Sequence, residues 1–93
     1  MTAKRANAEV VRLAGLMLGT VDAIVRAMLA DGVTDPPGTL RSLVRNPALV
    51  PQPVAARYGP MVAACRATFT FRGNDGLVEV AIARCIAIAG SLL

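Results

Sequence analysis

The chain has 93 residues, enough for one domain with a modest core, since cores below about 100 residues rarely divide. Hydrophobic residues make up 55% and charged ones 17%, against a usual charged share of about 25%, which excludes a disordered polar tail. The net charge is +4 and histidine is absent, so the commonest general base and the commonest metal ligand are both missing.

The first predicted element is a helix from about Asn7 to Asp31. Val10, Ala14, Met17, Val21, Ile24 and Met28 recur at alternating spacings of four and three, which is one helical face. Val11, Leu18, Val25 and Leu29 widen it beyond a thin seam. Asn7 is placed to cap the start, Glu9 to favour the first turn, and Gly32 to take the left-handed position after the end. Val33 to Gly38 is expected to be a linker, because Asp35-Pro36-Pro37-Gly38 cannot continue a helix.

Thr39 then caps a short helix, Leu40 to Asn46, with Leu40, Leu43 and Val44 on one side. Pro47, Pro51 and Pro53 divide the next stretch into turns or a single helical turn. A further helix starts near Pro53, is disturbed at Gly59-Pro60, and runs on through Met61, Val62, Cys65 and Thr68.

The last third supports two readings. From Leu77 to Leu93, the side chains of Val78, Ile82, Cys85, Ile86, Ala89 and Leu93 share a helical face, opposite Val80, Arg84, Ala87 and Ser91. Yet Phe69, Phe71, Val78, Val80 and Ile82 alternate with period two around Gly73-Asn74-Asp75-Gly76, a hairpin signal over about 68–82. Ala81, Ala83, Ala87 and Ala89 favour helix, since alanine is the best helix former and a poor strand former. The expectation is an all-α single domain, 1–93. It is a small bundle of about four helices, with long N-terminal and C-terminal helices around short proline-interrupted segments. The alternative is a winged-helix-like fold.

Catalysis, cofactors and metals are not expected. Serine, threonine or cysteine nucleophiles need an adjacent base, and the six acids form no cluster beyond Asp75 and Glu79, which suit the first turn of a helix. Gly73 and Gly76 lack the lysine of a phosphate loop. Cys65 and Cys85 lie twenty residues apart without histidine, so they read as small apolar core residues rather than a zinc site or disulfide framework. Gly19, Thr20 and Asp22 interrupt the apolar run after Leu13–Leu18, short of the roughly 20 apolar residues of a membrane span. A soluble cytoplasmic protein, with no membrane partner, is the expectation.

Two faces are candidates for contact. Arg12, Gly15, Gly19, Asp22 and Arg26, spaced 3, 4, 3, 4, form a stripe opposite the main apolar face of the first helix. Its two glycines let another backbone approach closely, either that of a partner or second copy, or the chain's own C-terminal helix. The second face is basic. Residues 36–74 carry Arg41, Arg45, Arg57, Arg66 and Arg72 with no acid, which suits an acidic protein surface or nucleic acid. Nine of the ten basic residues are arginine, and alanine, arginine, glycine and proline fill 40 positions. Their GC-rich codons point to a genome such as an actinobacterium's or one of its phages', so codon usage accounts for part of the arginine excess.

Over about 20 residues this middle resembles a helix-turn-helix, with Leu43, Val44, Ala48, Leu49 and Val54 at apolar positions and Gln52 and Arg57 able to reach base edges. Pro47, Pro53 and Gly59-Pro60 depart from that motif. The apolar content exceeds what so small a core hides, and exposed apolar patches mark interfaces. The sequence therefore points to a small non-catalytic helical protein that binds a protein partner, as a homodimer, accessory subunit or inhibitor, with no small-molecule substrate. The alternative is a small DNA-binding regulator using residues 36–74.

Overall fold

The computed structural model describes residues 3–71 and 73–93. Helices hold 84% of them and no strand is present among them, so the fold is all-α. Helix α1 spans Ala3–Ala30, α2 Pro36–Arg45, α3 Gln52–Phe69 and α4 Asp75–Ser91, with a 3-10 turn at Pro47–Leu49. α1 and α4 form the main seam of the bundle. α2 lies against both, and α3 packs on α1 and α2.

The six periodic residues of α1 are all buried, and Leu13 and Val25 complete the stripe. Val11 and Leu29, expected to widen it, are instead about half exposed. The helix also starts before Asn7, because Ala3, Lys4, Arg5 and Ala6 are good helix formers and need no break there. Asn7 lies inside the helix and exposed, while Glu9 turns to Arg12 rather than to the helix start. The far end closes as expected. Gly32 is left-handed at φ 80°, and its N–H and that of Val33 bond back to Leu29 and Met28 in the paired pattern of a Schellman cap. Val33 folds onto the core as it does so.

The proline pair expected to form a linker instead opens α2. Proline needs no intrahelical N–H partner in the first turn, and its fixed φ already suits the helix. Asp35, not Thr39, is the cap: its side chain accepts from the Gly38 N–H at 3.3 Å, with its own backbone at φ 51°. Thr39 donates its hydroxyl to the Thr34 carbonyl at 3.1 Å. Prolines 51 and 53 likewise flank the start of α3, and Pro60 sits inside it on the exposed side without ending it.

The hairpin reading over 68–82 does not hold. α3 runs to Phe69 and α4 begins at Asp75, and the Gly73-Asn74 signal turns one helix into the next. Asn74 closes that turn, accepting from the Phe71 N–H at 2.6 Å and donating to the Phe69 carbonyl at 3.2 Å. Beyond it Val78, Ala81, Ile82, Cys85, Ile86 and Ala89 are buried. Leu93 falls after the helix ends and is exposed.

Apart from Tyr58 the core is without aromatic rings, and no charged residue among the described ones is buried. Small residues (Ala14, Ala81, Cys85 and Ala89) sit in the α1–α4 seam, and the Cys85 thiol donates to the Ala14 carbonyl at 3.3 Å. Tyr58 and Val62 of α3, and Leu40 and Leu43 of α2, cover what the seam leaves open.

Candidate functional site

Folding undoes much of the charge segregation read along the chain. Arg57 Nε meets Asp31 Oδ2 at 2.8 Å, and the Tyr58 hydroxyl donates to the same oxygen. The Arg57 guanidinium also lies over the Tyr58 ring, 5.7 Å from its centroid. The Tyr58 hydrogen bond, helped by Arg57, holds the Asp31 carboxyl below its ordinary range, and Asp31 pushes the Tyr58 phenol up. Arg66 reaches Glu79 at 2.7 Å and donates to the Val44 carbonyl at 2.8 Å, tying α3 to both α4 and the last turn of α2. Two of the five arginines of the basic middle are thus neutralised by acids from outside it.

Arg41 and Arg45 are not. They stand one turn apart on the exposed side of α2 and enter no ion pair among the described residues. Between α2 and α4 they overhang a cleft of about 330 Å³ whose other walls are Val44, Glu79, Val80, Ala83 and Ile86. Glu79 is occupied by Arg66, so the cleft presents two guanidiniums without an ion pair among the described residues, above an apolar floor. Leu49 beyond Arg45 is 78% exposed and Val80 is 55% exposed, so the apolar surface continues past the rim. Val80 and Leu49 were not among the sequence candidates. An apolar residue on the outer face of α4, opposite its own stripe, was the available signal.

The stripe on α1 is exposed at Arg12, Gly15, Gly19 and Arg26 and partly buried at Asp22. Arg12 pairs with Glu9 at 2.9 Å and Arg26 with Asp22 at 2.8 Å, both along the same helix. Gly15 and Gly19 have open space where a side chain would stand, and α4 packs on the opposite face of α1. The chain's own C-terminal helix therefore does not cross them. Gly19 instead borders a groove of about 550 Å³ between α1 and α3, lined by Thr20, Ala23, Ile24, Ala27, Met61 and Ala64.

Of the two residues read as base contacts, Gln52 is exposed at the start of α3 and Arg57 is committed to Asp31; Arg72, the last arginine of the basic middle, lies outside the described residues. The exposed side of α3 is otherwise mostly alanine and proline (Pro53, Ala56, Pro60, Ala63, Ala64 and Ala67), which offers few donors. Both cysteines are free and buried, and burial pushes both thiols up, that of Cys85 to about 11. Among the described residues no group of three His, Cys, Asp or Glu side chains could hold a metal ion. By length and composition alone α1 could cross a membrane, which the sequence reading did not expect. Asp22 and Arg26 within it pair with each other, and in this fold its apolar stripe is the core of the bundle.

Comparison with protein-family models, with curated proteins and with solved structures finds no match to this chain.

Proposed function

We propose that this chain is a non-catalytic binding protein whose α2–α4 cleft takes an acidic, apolar-faced segment of another protein. One observation carries the reading: Arg41 and Arg45 enter no ion pair among the described residues, while flanking acids neutralise Arg57 and Arg66, and the first two overhang an apolar floor. Rim charges steer an acidic partner and set its orientation, while apolar anchors in the floor govern how slowly it leaves. A helix in a groove, with apolar residues one turn apart and carboxylates beside them, fits that pattern. The buried, raised thiols of Cys65 and Cys85 are poor nucleophiles, which supports a role without covalent chemistry. Duplex DNA fits less well, because phosphate tracking draws on a field of several charges and Val80 and Leu49 interrupt this one.

The test is a titration of isotope-labelled protein with three probes at physiological salt. They are an amphipathic peptide with leucines on one face and glutamates beside them, the same peptide with lysines, and a mixed-sequence DNA duplex. The glutamate peptide should shift the backbone signals of Val44, Val80 and Ala83, and R41E/R45E should abolish the effect. Equal binding of the lysine peptide, no binding of the glutamate peptide, or tighter binding of the duplex would each overturn the reading.

A further inference from the structure

The outer face of α1 bears on a different partner. We infer that it is the contact surface between two copies of this chain, with the two α1 helices antiparallel about a two-fold axis level with Met17. The ordered charges carry the inference. Along the stripe the sequence runs Arg12, Gly15, Gly19, Asp22 and Arg26, and its first four positions are basic at one end and acidic at the other. Turned end for end about Met17, Gly15 comes level with the partner's Gly19 and Arg12 with the partner's Asp22. The symmetry repeats both matches on the other half, so the segment from Arg12 to Asp22 is the complement of itself, as a two-fold interface requires.

Each end then becomes a row of alternating charge. Glu9 already holds Arg12 and Arg26 already holds Asp22. Bringing Arg12 level with the partner's Asp22 joins the two pairs into Glu9, Arg12, the partner's Asp22 and the partner's Arg26. Asp22 Oδ1 is buried without a hydrogen-bond partner, so the partner's Arg12 meets the outer oxygen, Oδ2, which Arg26 already holds. The apolar surroundings agree. Leu16 is 56% exposed beside the stripe, and the same two-fold brings Leu16 of the partner subunit to the mouth of the α1–α3 groove at Gly19 and Thr20.

Neither Gly15 nor Gly19 makes room for a close contact inside the monomer. A side chain at Gly38 would meet the Asp35 carboxylate at 2.1 Å, and one at Gly90 would meet the Pro37 ring at 3.1 Å, so both serve the packing of α2. Gly15 and Gly19 meet nothing within 4 Å, yet lower the helix propensity of the middle of α1. Close approach of a second helix backbone gives their absent side chains a purpose.

Sedimentation of the full chain across a concentration series tests this without touching the cleft, so its outcome is separable from that of the peptide titration. The wild type should approach dimer mass at high concentration. G19L should remain monomeric yet folded, because the new side chain stands in open space. R12E and D22R should each weaken self-association by at least about tenfold, through like charges at both ends of the two-fold. An equimolar mixture of R12E and D22R should recover the dimer, since each charge then meets its opposite on the other chain. A wild type that stays monomeric at millimolar concentration, a G19L dimer of unchanged affinity, or a mixture no tighter than its components would overturn the proposal.

Discussion

The α1–α4 seam and the segment from α2 through α3 are held by different forces. The seam is two apolar stripes pressed together through small residues, and its polar content is a thiol on a carbonyl. The middle segment is rich in proline and arginine, and it reaches outward for its partners. Arg57 and Tyr58 take Asp31 just after α1, and Arg66 takes Glu79 on α4. The difference teaches where stability and where adaptability reside. Burial fixes the position of α1 against α4, whereas α2 and α3 are positioned partly by exposed charges, which water and salt compete for. The candidate cleft lies where the two regimes meet, with α4 as its firm wall and α2 as its polar one.

The largest effect should come from breaking the seam. Leu13→Ala removes a fully buried side chain of the α1 core stripe, and urea unfolding should show a loss of about 2–5 kcal/mol. A loss below about 1 kcal/mol would place the stabilising burial elsewhere. Arg66→Ala attacks the other regime. It removes a half-exposed ion pair and a hydrogen bond to the Val44 carbonyl, and should cost about 1 kcal/mol, with salt narrowing the gap to wild type. Because Val44 and Glu79 both line the cleft, the same change should alter peptide affinity more than Leu13→Ala does when both are measured under folding conditions.

The smallest effect is a matter of pH. Asp31 is held below its ordinary value in the folded chain, so its contribution is present at neutral pH and fades as pH falls below about 4. Tyr58 is held above its ordinary value, so its contribution persists through neutrality and fades as pH rises past about 10. Tyr58→Phe should therefore lower the thermal midpoint most near neutrality, with the gap closing toward both extremes. A gap that stays constant with pH would mean that the hydroxyl acts through packing alone.

The same divide governs what was legible in the sequence. The stripe of α1 is a local periodicity, and each of its six residues is buried as read. Leu13 lies at the edge of the stripe, where tertiary packing rather than the local period decides between core and solvent. The prolines are ambiguous in sequence: Pro36 and Pro37 forbid a helix running into them yet permit one that starts with them, and only the second is realised here. The candidate cleft was half visible. Arg41 and Arg45 share a face by spacing alone, but Val80 and Ala83 join them only once α2 lies on α4. Likewise, nothing local links Arg57 to Asp31 or Arg66 to Glu79, so the basic middle read as more strongly charged than the folded surface is.

The pairing of the first helix with the last has a consequence for how the molecule is made. While the ribosome is still adding α2 and α3, the buried stripe of α1 has no α4 to cover it. At about 5–20 residues per second that interval is on the order of seconds, long against the microseconds in which a helix forms. α1 must therefore spend its early life as a formed but uncovered apolar helix, open to chaperones, to targeting factors or to other nascent chains. Closing the seam must also meet the loop-closure entropy of the whole intervening chain, so the bundle completes after synthesis of α4 rather than during it.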